Sequence, residues 1–365
     1  MSLDAKLAAL LRPELADLSP YAPHLPEGIE VRLDANEAPP NPSPHVREVI
    51  AEAIAKTQLE RYPDARTTAL RLAIAKRTGA RPEELMIGTG SDEVISLVLT
   101  AMSRPRPPAP LPVVLTTTPT FVMYRITARG HGHTPVEVPL DAAWDLDVGA
   151  MKRAIEMLPP NVVFIASPNN PTGNKMSDAR VLEVLEAAKG SLVIVDEAYI
   201  DYASASVRHW RADHPNLAIL RTVSKVGLAA LRVGWIEAHA ELIAELDKVR
   251  QPFNVSATSQ NAATAVLEHA WDDVCAHVAA VKRERDRVVH EIVKMGVTVT
   301  PSDANFVWIK TPQPAAEVFG KLVQKGVLVR SFHHIGGRMT HQLRVTIGSP
   351  KDNDRLLEAL AACAV

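Results

Sequence analysis

The chain is poor in cysteine, carries no excess of either charge and contains no long apolar run, and each lack closes off a class of function. Its 365 residues include two cysteines, Cys275 and Cys363, with no CxxC spacing, which argues against a disulfide framework or a structural zinc site. That usage fits a reducing compartment, so a cytoplasmic location is expected. The 40 basic and 42 acidic side chains, net charge −2, are mixed along the sequence rather than blocked into runs. Such mixing offers no polyanion-binding surface, and no nucleic-acid partner is expected. No run approaches the roughly 18 apolar residues that cross a bilayer, and no membrane partner is expected. The opening MSLDAKLAALLRPEL lacks the long apolar core and small-residue cleavage site of a signal peptide and reads as a short amphipathic helix. Histidines at 131, 133, 333 and 334 have no acidic or cysteine partners at coordinating spacing, so they read as solvated or packing residues and no metal is expected.

What is present is length and apolar content. With 47% hydrophobic residues the chain supports one large domain and a smaller one, with room for a deep cleft. Proline-crowded YAPHLPEG and ANEAPPNPSP rule out regular structure, so residues 1–42 are expected to form an extended arm that joins the small domain. From Ser43 to about 248, helical patterns alternate with the apolar runs LMIG, PVVLTTTP, NVVFIASP, SLVIVDEAY and LAILRTVS. This is the pattern of an α/β domain with a largely parallel sheet buried on both faces, and ligand chemistry then belongs at the carboxyl ends of the strands. Residues 104–112, RPRPPAPLP, read as a stiff surface loop. Residues 249–365 change to long charged helices and short strands near NFVWIK, VLVRSF and LRVTIG, the pattern of a small α+β domain.

Five pieces carry chemistry. In RTVSKVGLAALRVGW, Lys225 follows an apolar strand, a setting in which a sparingly solvated amine can act as a nucleophile. Thr222, Ser224 and Arg232 lie at distances along the chain suited to holding a phosphate. SLVIVDEAY ends a strand on Asp196 with Tyr199 three residues on, and no G-x-x-x-x-G-K-[ST] accompanies it that would make it a nucleotide site. In SPNNPTG, Asn170 sits before a sharp turn at Pro171 and Gly173. MIGTGSDEVI opens a helix at Ser91 and Asp92 after a strand, an anion site in form but also an ordinary capped helix. TTTPTFVMY places Phe121 beyond a strand end, where it could stack on a ring or pack in the core. The order is the strong signal: Asn170 lies 26 residues before Asp196, and Lys225 lies 29 beyond, so three strand ends converge on one ligand.

These motifs resemble those of the fold type I pyridoxal phosphate (PLP) enzymes of the class II aminotransferase family, and in detail the histidinol-phosphate aminotransferase branch. The resemblance covers nearly the whole chain, from PYAP and ANEAPP through RYPD, GTGSDEVI, SPNNPTG, VDEAYIDY and RTVSK to NFVWIK, VLVRSF and LRVTIG. It implies a large domain with a mostly parallel seven-stranded sheet and a smaller α+β domain. It implies that Lys225 joins the cofactor covalently, that Asp196 pairs with the pyridine nitrogen, and that Asn170 and Tyr199 hold the ring oxygen while Phe121 stacks on the ring. Ser91, Asp92, Ser224 and Arg232 would hold the cofactor phosphate, with Tyr62 supplied by the neighbouring subunit of a homodimer. Tyr21, Asn36, Arg330 and Arg344 would bind substrate. The implied reaction is transamination between L-histidinol phosphate and 2-oxoglutarate.

Two departures stand out. Phe121 replaces a tyrosine usual in the family, and the step from Lys225 to Arg232 is one residue shorter than usual, so the intervening turn must tighten. Within the same fold, a threonine-phosphate decarboxylase-like lyase and an aromatic or broad-range aminotransferase are the alternatives. A regulator built on an aminotransferase domain would need an additional DNA-binding segment, and the chain has no basic region for one.

Overall fold

A computed structural model describes residues 5–12, 15 and 25–363. The strands in chain order are β1 (Val31–Arg32), β2 (Leu85–Thr89), β3 (Val113–Thr118), β4 (Thr134–Pro139), β5 (Val162–Ala166), β6 (Leu192–Asp196), β7 (Leu217–Thr222) and β8 (Val233–Glu237). They continue with β9 (Thr298–Thr300), β10 (Phe306–Lys310), β11 (Val327–Leu328), β12 (Arg330–Ser331) and β13 (Gln342–Thr346).

The main sheet has seven strands in the order β2-β8-β7-β6-β5-β3-β4. β8 runs antiparallel to both its neighbours, and the other pairs are parallel. Strands β5 and β6 are buried along their whole length because successive side chains face opposite layers, and both layers are apolar. Val163, Ile165, Val193, Val195 and Ile219 enter one core with Leu146, Met151 and Leu185. Phe164, Ile194, Ala218 and Leu220 enter the other with Val94, Val98 and Tyr124. Parallel pairing aligns Ala166, at the end of β5, with Asp196, and Asp196 with Leu220 of β7, so the chain turns after these strands share one rim.

Two of these strands escape a reading by apolar runs. β4 carries Pro135 and Pro139 on the sheet edge and is only partly buried, where proline's missing donor faces no neighbour. β8 falls inside the lysine motif itself. The expected N-terminal amphipathic helix is a single turn, Ala5–Ala8.

A four-stranded antiparallel sheet, β12-β13-β10-β9, lies beyond the main sheet. Val307, Ile309, Leu343 and Val345 face the helices Trp271–Lys294, Ala315–Gln324 and Pro350–Ala361. Alternation then sends Phe306, Trp308, Arg330 and Arg344 to the other face. The N-terminal segment joins this part of the chain through β1, which pairs in parallel with β11. The helix Ala257–His269 packs on Pro44–Ala55 and Thr68–Thr78. A clamp fixes the turn after β12 to the loop after β4: Arg338 donates to Leu140 O at 3.0 Å and Asp141 O at 2.8 Å, and its guanidinium lies 3.4 Å from the Trp144 ring centroid. Among the described residues, no helix is long and apolar enough to cross a membrane.

Candidate active site

Asp196 ends β6 and is buried, as the apolar strand before it dictates. Its two oxygens are held separately: Tyr124 donates to Oδ2 at 2.6 Å and the Ala198 N–H to Oδ1 at 3.0 Å. Burial raises its pKa to about 6, against the lowering effect of these two donors and of the more distant Lys225. A carboxylate in that position favours a cation placed beside it.

Lys225 follows β7 in a single 3-10 turn, Ser224–Val226, closed by Gly227 at φ 92. Its backbone carbonyl accepts the Tyr202 hydroxyl at 2.8 Å. Its Nζ stands 5.6 Å from the Tyr199 ring centroid. Tyr199 packs edge-on against Phe306 at 5.1 Å, and its hydroxyl accepts from Asn36 Nδ2 at 2.9 Å, which leaves the phenolic proton for a second partner. Asn170 Oδ1 accepts from Arg344 Nη1 at 2.6 Å, which fixes the amide with its Nδ2 as the donor end. Arg344 also donates to Asp34 O and lies 5.6 Å from the Phe306 ring centroid and 6.0 Å from that of Phe332. Arg330 is its direct cross-strand partner, so the two guanidinium groups project from the same face of the small sheet.

The shortened step after Lys225 is accommodated by a second 3-10 turn, Ala229–Leu231, and by Arg232 itself in the left-handed region at φ 53. The Arg232 carbonyl accepts the Gly90 N–H at 2.9 Å, and its guanidinium reaches Asp92 at 3.5 Å. Gly90 opens the helix Gly90–Ala101 at φ 78, and a Cβ there would lie 3.0 Å from Arg232 Cζ. Arg232, paired with Asp92, is thereby seated against the positive end of a helix, a place suited to an anion. Ser224 is buried beside it, its N–H donated to Thr222 Oγ1 at 3.1 Å and its Oγ 2.9 Å from the same atom. Glu93 and Asn254 hold the loop from behind, with Thr89 Oγ1 donating to Asn254 O at 2.6 Å and Asn254 Nδ2 to Glu93 at 2.8 Å.

The structure therefore brings Asn170, Asp196, Tyr199, Lys225 and Arg344 together, and Ser91, Asp92, Ser224 and Arg232 at an adjoining anion cradle. Phe121 lies past β3 with its ring 5.4 Å from Tyr124, edge to face. Asn36 is buried at φ 55, and is tied to Thr346 and Asn305 as well as to Tyr199. Tyr62 is apart from these residues in the single chain: it is 83% exposed and stacks on Phe253 at 4.8 Å. Tyr21 lies outside the described residues. Sequence reading passed over Tyr124 and Tyr202, which touch Asp196 and Lys225, although both stand inside the quoted motifs PTFVMY and VDEAYIDY.

Fold and site together define a PLP-dependent transferase of fold type I. The profile of the family described as aminotransferase class I and II matches residues 29–360, and the chain belongs to that family. Among its relatives, the histidinol-phosphate aminotransferase of Methylibium petroleiphilum is 37% identical over 98% of this chain and 95% of that protein. That of Aquifex aeolicus is 36% identical over 90% and 91%. A solved structure of histidinol-phosphate aminotransferase from Sinorhizobium meliloti, in complex with PLP, superposes with a TM-score of 0.86 at 24% identity, covering 97% of each chain. That structure bears on the fold.

The residues present fit PLP. The buried Asp196, with its raised pKa, suits a pyridinium nitrogen. The cradle at Gly90, where a Cβ would displace Arg232, suits a phosphate.

Proposed function

We propose that this chain transfers the amino group of L-histidinol phosphate to 2-oxoglutarate, giving imidazole-acetol phosphate and L-glutamate. The observation that carries this reading is the pairing of Arg330 with Arg344 across β12 and β13, with Arg344 bonded to Asn170 at 2.6 Å. Two guanidinium groups on one sheet face suit a phosphate dianion, and Arg344's planar fork suits the carboxylate of the second substrate equally. The named activity of the relatives supports the same substrate.

When bound, PLP supplies the electron sink for the carbanion at the substrate Cα. Lys225 Nζ holds the cofactor at rest and, once free, takes the proton from the substrate Cα. Asp196 keeps the ring nitrogen protonated. Tyr199 Oη and Asn170 Nδ2 hold the ring oxygen, and Phe121 covers the ring. Ser91, Asp92, Ser224 and Arg232 fix the phosphate. Asn36 orients the Tyr199 hydroxyl, and Asn36, Arg330 and Arg344 border the substrate, with Tyr21 as a further candidate for binding it. The exposed Tyr62 reaches the phosphate of a second copy, so the working form is a homodimer. The same reading keeps the protein in the cytoplasm and divides it into an arm at 1–42, a large domain at 43–248 and a small one at 249–365.

Purified protein mixed with histidinol phosphate and 2-oxoglutarate should form glutamate. Carbon dioxide from threonine phosphate with no glutamate from histidinol phosphate would overturn the substrate assignment. Lys225→Ala should abolish both the activity and the visible absorbance of the bound cofactor, and an unchanged spectrum would overturn the role of the lysine.

A further inference from the structure

Tyr124 lies in the first turn of the helix Met123–Gly130 and is completely buried. Its ring is parallel to that of Phe164, 4.7 Å away with 4° between planes, and it meets Phe121 edge to face at 5.4 Å. A phenylalanine would pack in the same space. The hydroxyl adds one thing, a 2.6 Å bond to Asp196 Oδ2. Burial and the neighbouring Asp196 charge push the phenol well above its ordinary pKa, so it keeps its proton and donates throughout the working range. With the Ala198 N–H on Oδ1, the carboxylate is held from both sides and its plane is set.

We propose that Tyr124 is a positioning residue of this site: its hydroxyl fixes the Asp196 carboxylate in the ionised form and orientation that the cofactor ring nitrogen requires, while its ring sets the place of Phe121. The inference rests on the assignment of Asp196 to that nitrogen. A donor removed from a buried carboxylate makes the carboxylate more basic, so the shared proton moves from the ring nitrogen towards Asp196. The hydroxyl therefore serves the ring's charge.

The test uses the full-length Tyr124→Phe protein, stripped of cofactor and titrated with PLP. Without the donor the apo Asp196 is harder to ionise, and each unit by which its pKa rises past the assay pH weakens PLP binding by roughly 10-fold. The pH titration of the bound cofactor's absorbance should shift, and kcat should fall while KM for histidinol phosphate holds. In an Asp196→Asn background, Tyr124→Phe should change PLP affinity little, because its partner is no longer a charge. Wild-type affinity together with a wild-type pH titration would overturn the proposal. So would an effect undiminished in the Asp196→Asn background, which marks packing alone. Should Tyr124→Phe not fold, Phe164→Leu loosens the same phenol while retaining its hydroxyl; a shifted PLP titration supports the proposal and an unshifted one overturns it. The visible band persists in Tyr124→Phe if the cofactor assignment holds, so loss or retention of that band in Lys225→Ala tests the assignment separately.

Discussion

Gly90→Ala separates the stability of the phosphate cradle from its affinity. Gly90 adopts φ 78, where an L side chain costs about 1–2 kcal/mol. The added Cβ would meet the Arg232 guanidinium, with Cζ at 3.0 Å. That group ends a flexible and half-exposed side chain, so it turns away and the backbone stays in place. The apo protein should lose only the backbone cost, about 1–2 kcal/mol, read from urea unfolding. PLP binding should lose more. A displaced Arg232 forfeits a charge-assisted contact worth about 1.5–3 kcal/mol, or about 10- to 150-fold in Kd. Gly234→Ala is the contrasting case. Its Cβ would lie 2.5 Å from the Gly90 carbonyl carbon and against the Ser91 nitrogen; these are backbone atoms that cannot swing aside, so folding itself should fail. A Gly90→Ala protein that folds with the expected modest loss yet binds PLP as tightly as wild type would refute this account, because Arg232 would then contribute nothing to the phosphate.

Two further outcomes follow from the same geometry. Asp196 is raised by burial from 3.8 to about 6, so the folded apo protein retains a proton that the unfolded chain releases. The contribution is fully present below about pH 3.8 and is lost as pH rises through about 6, a total on the order of 3 kcal/mol. Urea midpoints of the apo protein should therefore carry a falling component between pH 4 and pH 7 that Asp196→Asn removes; an identical slope in the variant would contradict the burial argument. Mixing Lys225→Ala with Tyr62→Ala protomers should restore activity in heterodimers, where one site has both residues, to about a quarter of wild type. No recovery on mixing would place Tyr62 outside the partner's site.

The sequence alone was sufficient for what depends on local pattern. NVVFIASP, SLVIVDEAY and LAILRTVS are legible as strands because a parallel sheet buried on both faces needs unbroken apolar runs, and β5, β6 and β7 lie within them. Their shared direction also places Asn170, Asp196 and Lys225 at one rim, since parallel strands end on the same side. The edge strand β4 was not legible, because prolines and partial exposure give it neither an apolar run nor clean alternation. Contacts across long separations were beyond the sequence altogether. Arg344 meets Asn170 174 residues away, Asn36 reaches Tyr199 across 163, and Tyr124 reaches Asp196 across 72. Each bond depends on sheet order, register and rotamer together. Register alone decides that Arg330 faces the same way as Arg344, because a slip of one residue would turn it into the helical layer. Residue type and spacing thus singled out the candidate groups, and tertiary packing decided which partner each one holds, since hydrogen bonds and buried charge depend on distances that the chain reaches only when folded.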